Sequence, residues 1–209
     1  MTLFDIHTHN TPEAVCASIF NSGTVYRTDC MISMGIHPWE ITGNWREPFA
    51  IILRHACCNN VVAVGECGID KIKSPADAGL QKEIFRAHAE LAEEINKPLI
   101  IHCVKAYDEI IAAHKDITPE QPWIIHGFRG KPQQALQLTR MGIYLSLGVH
   151  FNPDAARVMP ADKLFVESDE SNMPLSEIYS QIATARETST DILIAQIWKN
   201  AQIFGQIQK

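Results

Sequence analysis

The chain has 209 residues, 46% of them hydrophobic, enough to bury one substantial core and within the range of a single α/β domain. Acidic residues outnumber basic ones by 24 to 18, giving a net charge of -6, so the surface as a whole repels polyanions and any nucleic-acid contact must be local. No run is apolar for long enough to span a bilayer, no basic segment leads into an apolar one at the start, and the six cysteines lack CxxC spacing; a cytoplasmic protein with reduced, packed thiols is predicted, with no membrane partner.

In chain order, eight strand-like runs are predicted: Phe4 to His9, Ala14 to Phe20, Met31 to His37, Val61 to Gly65, Leu99 to Val104, Trp123 to Phe128, Ile143 to Val149 and Leu164 to Ser168. Eight buried parallel strands alternating with helices predict an α/β fold, a TIM-type (β/α)8 barrel, with residues 1–209 as one domain. Only Asn10 to Glu13 and Asn21 to Cys30 separate the first three strands, too little for crossover helices, so the barrel is expected to be shortened on that flank. A helix over Leu80 to Asn96 carries the apolar stripe Ile84, Ala87, Leu91 and Ile95 and stops at Lys97-Pro98. Two closing helices follow the last strand, Leu175 to Arg186 and Asp191 to Phe204, with Thr190 or Asp191 as N-cap of the second.

Six potential metal ligands fall at the ends of these runs: His7, His9, Glu66, His102, His126 and Asp169. Strand alternation points His7 and His9 to the same face, where the pair can chelate one cation. Glu66 closes Val-Val-Ala-Val-Gly, and an ionised carboxylate there is costly unless paired or metal-bound; Gly65 and Gly68 around it imply tight backbone. His102 ends Leu-Ile-Ile and His126 ends Trp-Ile-Ile, and either alone reads as readily as a hydrogen-bonded core histidine. Asp169 can both bind metal and accept a proton from metal-bound water, or else cap the helix that follows Pro174. This mixture of nitrogen and oxygen donors suits two divalent ions such as Zn or Mn, with Mg admitted when substrate phosphates add oxygens. Two cations about 3.5 to 4 Å apart would share a hydroxide and neutralise charge on the oxygen under attack.

The chain resembles the amidohydrolase superfamily and, within it, the TatD-like metal-dependent deoxyribonucleases. The resemblance is carried by Asp5-Ile-His7-Thr-His9, Gly35-Ile-His37-Pro38, Gly65-Glu66-Cys-Gly68-Ile-Asp70, Pro98-Leu-Ile-Ile-His102, Ile125-His126-Gly-Phe128-Arg-Gly130, Glu167-Ser-Asp169 and Asn200-Ala-Gln-Ile-Phe204. It implies that His7, His9, Glu66 and Asp169 hold one cation, that Glu66, His102 and His126 hold the other with Glu66 as bridge, and that Asp169 and Glu66 are the catalytic carboxylates. It further implies that His37 lies by the substrate phosphate. Lys105, Arg129 and Lys131, just beyond the fifth and sixth strands, are candidates for a positive rim or ordinary surface charge.

Departures from the family pattern are Val104 where an arginine is common, and Glu170, Ser171, Asn172 and Met173 ahead of Pro174. Trp39 and Phe128 read as hydrophobic cover of the barrel mouth, with base stacking in an open groove as the alternative. The expected function is hydrolysis of DNA or a smaller phosphodiester. A small amide or lactone as substrate, and a metal-binding barrel without catalysis, are the alternatives. The sequence does not set the oligomeric state.

Overall fold

The computed structural model describes residues 2–11 and 16–205. Its strands are β1 (Leu3–Thr8), β2 (Cys16–Asn21), β3 (Met31–Met34), β4 (Val61–Asp70), β5 (Leu99–Val104), β6 (Trp123–Ile125), β7 (Tyr144–Leu147) and β8 (Leu164–Val166), in sheet order β1 to β8. The helices are α1 (Arg46–His55), α2 (Ala78–Glu94), α3 (Tyr107–Ile117), α4 (Pro132–Arg140), α5 (Pro153–Val158), α6 (Leu175–Ala185) and α7 (Thr190–Asn200). Parallel strands alternating with helices in this order give the connectivity of a (β/α)8 barrel. Among the described residues no helix lies between β1 and β2 or between β2 and β3, as the short spacers require, and none is long and apolar enough to cross a membrane. The predicted start of the second strand at Ala14, and part of the spacer ahead of it, lie outside the described residues.

The chain divides into two compact units, Met1–Phe20 with Ile124–Lys209 and Asn21–Trp123. In the first, β1 pairs with β2, and β6, β7 and β8 pair in turn, all parallel. The end of β8 then returns to β1: the Asp169 N–H donates to His7 O at 3.0 Å and the His9 N–H to Asp169 O at 3.1 Å. First and last strands thus meet, the contact on which barrel closure depends. Beneath this seam the ring of Phe4 packs against Phe165, Trp198 and Phe204 at centroid separations of 6.3, 5.5 and 6.0 Å. Burying each such side chain contributes on the order of 1.5 to 3 kcal/mol. Asn200 fastens the end of α7 by donating to Ala161 O and Leu164 O, both at 2.8 Å, which explains an asparagine in that closing motif.

In the second unit β3, β4 and β5 pair in parallel, with α2 covering β4. Gly65 and Gly68 have φ of 129° and 150°, and a Cβ on either would run into the backbone of β5, at Ile100 O and His102 O respectively. Only glycine permits that approach, and it carries Glu66 up against His102. The helix stripe differs from the expected one. Its buried face includes Gln81 and His88 beside Ile84, Phe85 and Leu91, because two backbone N–H groups of neighbouring segments need acceptors there.

Strand ends also differ. β1 stops at Thr8, so His9 lies past the strand; β3 stops at Met34, leaving His37 in the following loop; and β4 continues through Glu66 to Asp70. Likewise β6 ends before His126 and β8 before Asp169. The metal-ligand candidates are thus split: His7, Glu66 and His102 lie within strands, while His9, His126 and Asp169 follow strand ends. Ser189 caps α7 through the Ile192 N–H, in place of Thr190 or Asp191.

Candidate metal centre

In the first unit the ends of β1, β6 and β8 bring His7, His9, His126 and Asp169 together. His7 Nε2 lies 3.8 Å and His9 Nε2 3.6 Å from Asp169 Oδ1. The His7 ring is 5.1 Å from that of His9 and 4.4 Å from that of His126. The His7 side chain, within β1, is wholly buried, whereas His9, past the end of β1, is 36% exposed. Ligand atoms of His7, His126 and Asp169 all fall within 4.8 Å of one another.

Asp169 reaches this position with φ at +54°, a left-handed conformation that aspartate tolerates better than most residues. What fixes it is Asp5. The buried Asp5 carboxylate accepts from the Ser168 N–H at 3.0 Å and the Ser168 hydroxyl at 2.6 Å, tying the segment before Asp169 to β1. Burial pushes the Asp5 carboxyl up to about 7, against the bonds from Ser168 that favour its charged form. Asp169 does not cap a helix: α6 starts after Pro174 without a side-chain cap.

Glu167, also wholly buried, stands 3.5 Å from His126 Nδ1. Gly148 leaves the space for it, since a Cβ there would lie 3.3 Å from Glu167 Cγ. Beside these groups a cavity of about 320 Å³ is lined by Arg129, His150, Phe151, Glu167, Asp169 and Glu170, among others. Arg129 is exposed at its edge, and Glu170 sets a negative charge beside it.

In the second unit Glu66 and His102 meet His37. Glu66 Oε1 is 2.7 Å from His102 Nδ1 and 3.1 Å from His37 Nε2, and Asn21 donates to Glu66 Oε2 at 2.9 Å. The other nitrogen of His102, Nε2, lies 3.2 Å from Asp70 Oδ2. Asp70 in turn accepts the Trp39 indole N–H at 2.6 Å and the N–H groups of Ile72 and Lys73 at 2.8 and 2.9 Å. Burial alone would push its carboxyl up, but these bonds outweigh that and hold it at about 2.

His37 Nδ1 accepts the Trp39 N–H at 3.1 Å, so the neutral imidazole carries its proton on Nε2, the atom facing Glu66. The loop bearing His37 is set by His88, whose Nε2 accepts the Ile36 N–H at 3.1 Å while Nδ1 bonds Ile84 O at 2.8 Å. Gln81 does the same for Asp70, accepting its N–H at 2.8 Å. Lys105 is exposed just past β5, outside these clusters.

The donor set suits a divalent cation. Two atoms each about 2.1 Å from one ion at a tetrahedral angle lie about 3.4 Å apart. The 3.6 and 3.8 Å separations around Asp169 fall within a few tenths of an ångström of that. His102 stands between two carboxylates, and a neutral imidazole has one N–H to offer. A cation taken at Nδ1, with Nε2–H on Asp70, satisfies both sides and reproduces the carboxylate–histidine–metal arrangement.

The sequence motifs contained Asp5, Asp70 and Glu167 without assigning them a role. Asp70 was the readable one, being an acid four residues beyond Glu66 on the same strand and so on the same face. Asn21, Gln81 and His88 left no such signal. Of the two aromatic residues read as cover, Phe128 is 1% exposed and Trp39 42%.

Comparison with known proteins adds to the geometry. The model of the family described as TatD related DNase matches residues 6–205. A metal-dependent hydrolase of Bacillus subtilis (strain 168), YabD, is 34% identical over 147 residues, 66% of this chain and 57% of the relative. The 3'-5' ssDNA/RNA exonuclease TatD of Pantoea ananatis is 28% identical over 207 residues, 85% of this chain and 79% of the relative. This chain spans little more than half the length of the first curated relatives it matches, 57% and 56%. Among solved structures, a hydrolase TatD family protein from Entamoeba histolytica superposes with a TM-score of 0.77 at 13% identity, covering 97% of both chains, which shows a common fold.

Proposed function

Since this chain belongs to the family of TatD-related DNases, we propose that it is a metal-dependent hydrolase of phosphodiester bonds in single-stranded nucleic acid. Residues 1–209 are read as one metallohydrolase domain. The observation that carries this reading is His102 held between Glu66 and Asp70, which fits a ligand with its orienting carboxylate better than a core histidine. Buried or half-buried thiols such as Cys67 and Cys103, which form no disulfide, accord with a cytoplasmic setting.

Two divalent ions, Zn, Mn or Mg, are assigned to the clusters around Asp169 and Glu66; bound there, such ions acidify water and offset charge on a phosphoryl oxygen. His7, His9 and Asp169 supply donors to one and Glu66 and His102 to the other; His126, which the resemblance puts with Glu66 and His102, is grouped instead with His7 and Asp169. Asp169, with a partly exposed carboxylate beside the cavity, is the proton acceptor for attacking water. Glu66 is oriented by the Asn21 amide, which donates to its Oε2. His37, beside Glu66, is assigned to the neighbourhood of the substrate phosphate, and Arg129 supplies positive charge at the cavity edge. Lys105 is retained as a rim cation for the leaving strand.

The test is cleavage of end-labelled single-stranded oligonucleotides by protein loaded with Mn, Mg or Zn, against the same protein in EDTA. Metal-dependent cleavage is expected. No cleavage of DNA, RNA or a chromogenic phosphodiester at saturating metal overturns the reading, and turnover of an amide or lactone instead reassigns the substrate.

A further inference from the structure

Of the four tryptophans, Trp45, Trp123 and Trp198 are 6%, 1% and 4% exposed, while Trp39 is 42% exposed. Trp39 is held rigidly while open to solvent. Its N–H is fixed on Asp70 Oδ2 at 2.6 Å, and its ring meets the His37 ring edge-on at 4.7 Å. Lys73 Nζ lies 4.4 Å from the centroid of the indole. The same Asp70 carboxylate arranges the turn after β4: Oδ1 takes the N–H groups of Ile72 and Lys73, and Ile72 is 65% exposed.

We propose that Trp39, with Lys73, forms a stacking subsite for one nucleobase of a single-stranded substrate, placing that base beside His37 and Lys73 near the adjoining phosphate. The inference rests on the phosphodiesterase reading above and specifies which feature of the substrate is recognised. A ring with its edge polar group already bonded offers a fixed, sequence-tolerant face, and such stacking survives any base identity. A rotating exposed side chain would lose more entropy on stacking than one whose χ angles are already set. Because the Trp39 N–H and His102 Nε2 share Asp70 Oδ2, a base on the indole also bears on the residue that orients His102.

Steady-state cleavage by the manganese-loaded protein of oligothymidylate and of an otherwise equal oligomer with an abasic nucleotide one position from the cut tests this. Trp39→Ala raises KM for the thymidylate by about five- to 150-fold and leaves KM for the abasic oligomer unchanged. Trp39→Phe keeps the ring and loses the bond to Asp70, so its KM stays within about threefold of wild type while kcat falls. Titrating the slowly cleaved phosphorothioate oligothymidylate quenches tryptophan emission in the wild type and not in Trp39→Phe, since the other three indoles are buried. Equal KM changes on both oligomers, or none on either, overturn the subsite while leaving the hydrolase reading standing. A wild-type protein that neither binds nor cleaves either oligomer overturns both.

Discussion

Lowering the pH from 7.5 to 4 should destabilise this protein through His88 in particular. His88 is fully buried on α2, with Nδ1 bonded to Ile84 O, Nε2 accepting the Ile36 N–H, and Phe49 edge-on at 4.9 Å. Burial drives its pKa down, partly offset by the bond to Ile84 O, to about 4 from an ordinary 6.5. Above pH 6.5 the imidazole is neutral in folded and unfolded chains alike, and its contribution is complete. As the pH falls from 6.5 toward 4 the unfolded chain takes up the proton and the folded one does not, so stability declines; below about 4 both are protonated and the decline ends. At 1.36 kcal/mol per pKa unit the loss is about 2 kcal/mol by pH 5 and about 3 kcal/mol by pH 4. Urea unfolding followed by tryptophan fluorescence at several pH values, in wild type and His88→Gln, isolates it, because the glutamine amide oxygen can accept the Ile36 N–H without titrating. The wild type should lose those amounts beyond the loss in the variant. Identical pH slopes, or a His88 resonance titrating near 6.5, would refute the reasoning.

Two substitutions address the metal clusters. Asp70→Asn keeps the shape beside His102 Nε2 but removes the charge, and should weaken manganese binding in calorimetric titration by about 10- to 100-fold with an unchanged circular-dichroism spectrum; undiminished affinity counts against Asp70 as the orienting group. Asp169→Ala should lower the metal-dependent phosphodiesterase rate by about 10²- to 10⁴-fold. Its melting temperature should stay within a few degrees of wild type, because the side chain is 30% exposed and outside the packed core. Full activity in that variant removes Asp169 from its proposed role.

Much of this molecule was legible in the chain because its strands are buried on both sides. Continuous apolar runs such as Leu-Ile-Ile ahead of His102 and Trp-Ile-Ile ahead of His126 mark the strands; at His126 the next polar residue is also where the strand ends, whereas β5 runs on through His102 to Val104. The short spacers after β1 and β2 could be read as lacking helices from chain length alone. Strand ends were less readable, since β4 runs past Gly65 by using glycines to approach β5, a long-range contact that local periodicity does not encode. Polar groups in the core were least readable of all. His88 and Gln81 occupy helix positions that a periodicity argument assigns to packing, yet each accepts one backbone N–H of another segment, that of Ile36 in the loop after β3 and that of Asp70 at the end of β4. The exposure of Trp39 is not readable from its hydrophobicity, nor is the bond of its indole N–H to the buried Asp70 carboxylate.

The account depends on divalent ions settling at the ligand clusters, and anomalous diffraction from crystals of the manganese-loaded protein tests that directly. Peaks are expected within about 2.3 Å of donor atoms of His7 and Asp169 and of Glu66 and His102. Crystals grown at saturating manganese with no anomalous peak at either cluster would contradict it.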